Sequence, residues 1–226
     1  MNTTNTKKKT AVSNRTDNKD RPQSEMRPTI GIIDYGAGNV RSVSNALDAL
    51  DARWRIVVDR DEAQDCSALI LPGVGSFGYC MQQLRRRKLI APLRSGIPLL
   101  GICLGMQVLF ERSEESPGAK GLCLLAGAVE KLQARKVPHV GWNQVSMKRP
   151  WPSGYAYFVH SYCITGVNSA EGIHDAATAL GTTRYGTCFR SAVTQSNVTG
   201  FQFHPEKSGS YGLALLRRWL TCLPRG

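Results

Sequence analysis

Along the chain, apolar runs of strand length keep giving way to apolar residues at helical spacing, and this alternation constrains the fold more than any other feature. Residues 29–34 read as a buried strand, and Val40, Val43, Ala46, Leu47 and Leu50 follow as a helical stripe with Asn39 as N-cap. Strands at 55–58 and 67–71, a helix at 79–88, a strand at 98–102 and a helix from Leu104 through Phe110 continue the rhythm. A last strand at 198–203 precedes a helix striped by Leu213, Leu216, Trp219 and Leu220. The pattern predicts an α/β fold, an open, mostly parallel, doubly wound sheet of flavodoxin-like kind with helices on both faces. Residues 121–165 break into shorter segments with turn signals, which predicts an added region of antiparallel strands.

Two stretches within this frame carry chemistry. Gly101-Ile102-Cys103-Leu104-Gly105 has the form of a nucleophile elbow with sulfur in place of oxygen. Cys103 then sits at a helix N-terminus, where unpaired N–H groups and the helix dipole favour the thiolate. In His204-Pro205-Glu206 the proline disfavours a helical His204, so the tripeptide is expected to be extended. Residues two apart on an extended segment face the same way, which lets Glu206 orient the His204 imidazole as a base. Taken singly, each stretch has a plain structural explanation, a core cysteine or a loop tripeptide. Together they supply nucleophile, base and orienting carboxylate, the parts of a cysteine hydrolase.

A third stretch offers somewhere to put an oxyanion. The strand at 67–71 runs into Pro72-Gly73-Val74-Gly75-Ser76-Phe77, a loop whose backbone N–H groups can point at developing negative charge. The N–H of Leu104, which follows the nucleophile, is the natural second donor.

The chain resembles the class I glutamine amidotransferases, and within them it is similar to the glutaminase subunits of imidazole glycerol phosphate synthases. The resemblance is carried by Ile33-Asp34-Tyr35-Gly36-Ala37-Gly38-Asn39, the Pro72–Phe77 loop, the Gly101–Gln107 elbow, Ser113-Glu114-Glu115, Pro138-His139-Val140-Gly141-Trp142-Asn143, Tyr157-Phe158-Val159-His160-Ser161-Tyr162 and Gln202-Phe203-His204-Pro205-Glu206-Lys207-Ser208. It implies Cys103, His204 and Glu206 as catalytic residues and an oxyanion strand at Gly73 and Val74. It further implies a glutamine site lined by Gly75, Gln107, Glu115, Ser161 and Tyr162, with Glu115 pairing the substrate ammonium. Asn39, His139, Trp142, Tyr157 and Lys207 match positions that face a cyclase subunit with a (β/α) barrel fold, which receives the ammonia in a heterodimer. No cofactor is implied. Three residues depart from the family pattern: Val140 replaces a common methionine, Cys123 a usual glycine and Arg184 a usual acid. A glutaminase subunit of another synthase, or a stand-alone cysteine hydrolase, shares the triad and differs in the Pro-His-x-Gly-Trp-Asn and Phe-Val-His-Ser-Tyr segments.

Composition narrows the remaining classes. No apolar run approaches the roughly twenty residues needed to span a bilayer. The seven cysteines show no close pairs, which fits free thiols in a reducing, cytoplasmic setting. The four histidines lack metal-ligand spacing, so no metal site is expected. Residues 1–27 carry seven basic side chains against three acidic ones and scarcely an apolar residue, which predicts a disordered basic tail ahead of one amidotransferase domain at 28–224. Met26, three residues before the first strand signal, is an alternative start. The net charge of +12 invites a nucleic-acid reading, with Arg85-Arg86-Arg87-Lys88 as the densest cluster. No recognition helix, finger spacing or aromatic stacking motif accompanies it, so nucleic acid is not the expected ligand.

Overall fold

A computed structural model describes residues 28–165 and 178–224; the segment 1–27, expected to be a disordered tail, lies outside the described residues. The first half runs β1 (Thr29–Ile33), α1 (Val40–Ala49), β2 (Arg53–Val57), α2 (Arg60–Gln64), β3 (Ala68–Gly73), α3 (Phe77–Arg86), α4 (Ile90–Leu93), β4 (Leu99–Cys103) and α5 (Leu104–Gln107). Then come β5 (Arg112–Ser113), β6 (Ala128–Lys131), β7 (His139–Met147), β8 (Gly154–His160), β9 (Tyr162–Cys163), β10 (Thr178–Tyr185), β11 (Thr187–Gln195), β12 (Val198–Phe201) and α6 (Gly209–Thr221).

Strands β2, β1, β3, β4 and β12 lie side by side and parallel. Beyond β12 the same sheet continues antiparallel through β11, β10, β7 and β8, while β5, β6 and β9 form a small separate sheet. Every residue of β3 and β4 is buried, as strands covered on both faces require. Their alternation divides the core in two. Leu69, Leu71 and Leu99 join one cluster, and Ala68, Ile70, Leu100 and Ile102 join the other, on the opposite face.

Several local expectations are revised. The elbow helix stops at Gln107, because the Val108 and Leu109 carbonyls accept from Leu122 N at 2.7 Å and Leu124 N at 2.9 Å instead of continuing the helix. On α6 the buried stripe is Gly212, Leu215, Leu216 and Trp219, so the expected Leu213 and Leu220 are only partly buried and flank it. The antiparallel region extends past 165 to the β10–β11 hairpin, whose threonine-rich strands carry little apolar signal. Cys123, at a usual glycine position, has φ 50°, the left-handed conformation that explains the glycine. In the basic cluster, Arg85 Nη2 donates to Lys120 O at 2.8 Å and Arg87 Nη1 to Asp34 O at 3.1 Å, so two of its side chains brace loops.

Candidate active site

The elbow is built where β3 and β4 end. Gly73 pairs with Cys103 across the two strands, and the chain turns at once into α5. Cys103 has φ 56° and ψ −112°, a region that L side chains rarely adopt, and is 7% exposed. A methyl group on Gly105 would run into the Leu71 carbonyl oxygen, so the helix can cross the strand this closely only with glycine there. Leu104 opens α5, and its N–H, like others of a first turn, has no partner within the helix.

The expected base, His204, arrives from β12. That strand pairs with β4, Phe201 opposite Ile102, which carries His204 to the same end of the sheet as Cys103. His204 itself is extended, at φ −98° and ψ 95°, and its N–H donates to Tyr157 O at 2.9 Å. The expected extended tripeptide is corrected beyond this point: Pro205–Lys207 form a 3-10 turn. Proline's fixed φ suits the first position of a helical turn. The turn still brings Glu206 Oε1 to 2.8 Å from His204 Nδ1, with both side chains almost fully buried. An acceptor at Nδ1 places the ring proton there and leaves Nε2 for the nucleophile. His204 Nε2 is buried and makes no hydrogen bond of normal geometry. Burial disfavours the imidazolium, but the nearby Cys103 thiol and the Glu206 carboxylate outweigh it and raise the His204 pKa to about 10.

Of the positions expected to bind substrate, Gln107 connects to Cys103 through Gln202, and Glu115 and Ser161 are anchored by separate contacts. Gln107 is 4% exposed, and its Nε2 donates to Tyr162 O at 2.8 Å and to Gln202 Oε1 at 3.2 Å. Gln202 Nε2 in turn lies 3.9 Å from Cys103 Sγ. Glu115 Oε2 accepts from Phe77 N at 2.7 Å, so this carboxylate caps the N-terminus of α3. The Ser161 carbonyl accepts from Leu132 N at 2.9 Å. Val74 is 41% exposed, its carbonyl accepts from the buried Tyr35 hydroxyl at 3.3 Å, and Gly75 beside it has φ 96° with open space around it. Sequence reasoning assigned nothing to Tyr35 or Gln202. For Gln202 the signal was available, since it precedes His204 by two at a strand end.

The positions expected to face a partner divide. On β7 and β8, Val140 pairs with Val159 and Trp142 with Tyr157, and these four share one face with Tyr155. Val140, Trp142, Tyr155 and Val159 are all exposed, an apolar patch of the kind that docks proteins. Lys207 is exposed too. His139 is corrected. It is 2% exposed, because strand alternation turns it to the opposite, inner face, where it stacks between Phe158 and Tyr185. Asn39 is half-buried; it stands at the N-cap position of α1 without capping it, and its Nδ2 donates to Glu206 Oε1 at 3.0 Å. Among the described residues no group of metal-ligating side chains forms, and no helix is long and apolar enough to cross a membrane.

Comparison with known proteins agrees with this geometry. Residues 31–221 match the family described as glutamine amidotransferase class-I. Proteins named imidazole glycerol phosphate synthase subunit HisH are similar along most of their length. The one from Moorella thermoacetica is 45% identical over 206 residues, covering 86% of this chain and 94% of its own. That of Thermotoga maritima is 42% identical over 202 residues, covering 85% and 96%, and that of Methanocaldococcus jannaschii 41% identical over 210 residues, covering 86% and 100%. Among solved structures, a glutamine amidotransferase superposes with a TM-score of 0.69 at 20% identity, covering 85% of this chain and 97% of its own, which speaks for the fold. A putative GMP synthase protein from Thermoplasma acidophilum gives 0.64 at 20% identity, covering 87% and 94%.

Proposed function

The chain belongs to the class I glutamine amidotransferases, in the branch of the HisH subunits of imidazole glycerol phosphate synthase, and from that premise we propose that Cys103, His204 and Glu206 hydrolyse glutamine for a partner synthase. The observation that carries the assignment is the His204 ring, held at 2.8 Å by a buried carboxylate, its Nε2 without a hydrogen bond of normal geometry and the Cys103 sulfur of a strained elbow near enough to raise its pKa.

In this reading the Cys103 thiolate attacks the side-chain amide carbon of glutamine. The N–H groups of Val74 and Leu104, with Gly73 supporting the loop, stabilise the oxyanion. His204 gives its proton to the departing nitrogen, and ammonia leaves a γ-glutamyl thioester on Cys103. Water, deprotonated by His204, attacks the thioester; glutamate departs and the thiolate re-forms. Gln107, Glu115, Gly75 and the Ser161–Tyr162 backbone bind the substrate, with the second oxygen of Glu115 facing its ammonium.

Ammonia released into bulk water protonates and loses its nucleophilicity, so the product needs a sealed path. The apolar face of Val140, Trp142, Tyr157 and Val159, with Lys207, supports docking of a separate (β/α) barrel cyclase. That enzyme combines the ammonia with a phosphoribulosyl formimino precursor to give imidazole glycerol phosphate and an aminoimidazole carboxamide ribotide, a step of histidine biosynthesis. Seven free thiols support a reducing compartment, the cytoplasm. The test is reconstitution. Co-expressed with a cyclase subunit, the chain should co-purify with it and support synthesis from glutamine; failure to bind the cyclase, or synthesis from added ammonia only, would overturn the proposal.

A further inference from the structure

The inner face of β7 and β8 carries a line of polar groups that the hydrolytic mechanism does not use. Gln144 N–H donates to Asn143 Oδ1 at 2.8 Å, which turns the amide so that Nδ2 reaches Arg184 O at 3.0 Å and His139 Nε2 at 3.4 Å. His139 Nδ1 lies 3.1 Å from His160 Nε2, and His160 Nδ1 lies 2.9 Å from the Tyr162 carbonyl oxygen. A carbonyl only accepts, so His160 carries its proton on Nδ1 and its Nε2 is bare. His139 must then donate from Nδ1, and its own bare Nε2 receives the Asn143 amide. Every proton along the line points toward Tyr162.

The line ends in the glutamine site. The same Tyr162 oxygen takes Gln107 Nε2 at 2.8 Å, and Gln107 leads through Gln202 Oε1 at 3.2 Å to a side chain whose Nε2 is 3.9 Å from Cys103 Sγ. Its setting resists rearrangement. His139 is stacked on Tyr185 at 3.9 Å and on Phe158 at 4.7 Å between ring centres, and His160 meets Phe189 edge-on at 5.1 Å. Burial keeps both rings neutral, with the His139 pKa pushed down to about 4 and that of His160 to about 3.

We infer that His139 and Asn143 are positioning residues for glutamine binding, fixing the tautomer of His160 and through it the Tyr162 carbonyl and the Gln107 amide. The substrate in this statement rests on the glutaminase reading above; the tautomers do not. Asn143 follows Trp142 on β7 with its side chain on the other face, so a partner seated on the apolar patch bears on the first donor of the line.

The experiment combines nitrogen NMR with kinetics. In the full-length chain labelled with ¹⁵N-histidine, His139 and His160 should both be neutral Nδ1–H tautomers. In the assembled synthase, His139→Phe, which keeps the ring stacking but not the donor, should raise KM for glutamine about tenfold while kcat stays within about threefold. His139→Asn puts an amide N–H in place of Nδ1 and should show a KM nearer the wild type, although it loses the stacked ring and is less stable. Packing alone predicts the reverse order. Asn143→Ala, at a half-buried position, should raise KM in the same sense and provides the reading if the His139 variants do not fold. An Nε2–H tautomer for either ring, or an unchanged KM in both His139→Phe and Asn143→Ala, overturns the inference. A wild-type assembly without glutaminase activity would overturn the functional reading instead, and the NMR result would still judge the line of donors.

Discussion

The side-chain amide of Asn39 and the ring of His204 share one oxygen of Glu206, at 3.0 Å and 2.8 Å. The other carboxylate oxygen is buried and makes no hydrogen bond, so Oε1 alone sets the orientation of the carboxylate. Asn39 precedes α1 and Glu206 follows β12, so the contact ties the start of the fold to the candidate active site. Replacing Asn39 by Ala is expected to lower kcat for glutamine roughly threefold to tenfold with KM little changed, measured in the assembled synthase. Weaker assembly with kcat intact would mean that Asn39 serves the interface alone.

Cys103→Ala should reduce glutamine hydrolysis by about 10⁴-fold or more, while synthesis from added ammonia by the assembled enzyme continues. Removing the thiol also removes the largest influence that raises the His204 pKa, so that residue should titrate at lower pH than in the wild type. An NMR titration of labelled histidine reads this directly, and an unmoved His204 would mean that sulfur and imidazole do not communicate.

The Glu115 carboxylate caps α3 with one oxygen, and its other oxygen is the one proposed for the substrate ammonium. Its Oε2 holds the first N–H of α3, where Ser116 Oγ also accepts from Gly78 N at 3.0 Å. Glu115→Ala should therefore lose about 1 kcal/mol of stability and raise KM for glutamine. Denaturant unfolding and steady-state kinetics separate the two, and a variant of wild-type stability would count against the capping role.

Acid should weaken the β7–β8 region. Burial holds His139 and His160 well below the ordinary histidine pKa of 6.5, at about 4 and about 3, so the unfolded chain binds more protons over that interval. Stability from these neutral rings is fully present above about pH 6.5 and is lost as pH falls toward 4. His204, raised to about 10, contributes with the opposite sign, present below 6.5 and lost as pH rises toward 10. His139→Phe should thus flatten the fall in unfolding free energy between pH 6.5 and about 4.5; equal slopes for variant and wild type would refute the assignment.

What the sequence made legible follows from where the physics is local. The buried parallel strands and the elbow could be read because an unbroken run such as Leu69–Leu71, or two glycines around Cys103, has few structural solutions. The β10–β11 hairpin was hidden by its many threonines, which carry little apolar signal, and the 3-10 turn after His204 by a proline that suits both an extended segment and a helical first turn. His139 was grouped with Trp142 among the partner-facing positions by resemblance, whereas alternation puts it on the inner face, residues three apart on a strand being on opposite sides. Neither the Tyr35–Val74 bond nor the Asn39–Glu206 bond has a sequence signature, because each joins segments distant along the chain.

The backbone at Cys103 has a consequence for endurance as well as for reactivity. A residue with a β-carbon held at φ 56° and ψ −112° sits above its relaxed energy by about 1–3 kcal/mol, which the surrounding sheet must absorb. Cys103→Gly, inert toward glutamine, is therefore expected to melt a few degrees higher than the active protein in a thermal scan, since the relief exceeds the extra freedom of glycine in the unfolded chain. An equal or lower melting temperature would show that the turn is relaxed as it stands. A higher one would mean that selection has kept a chain less robust than its own inactive twin.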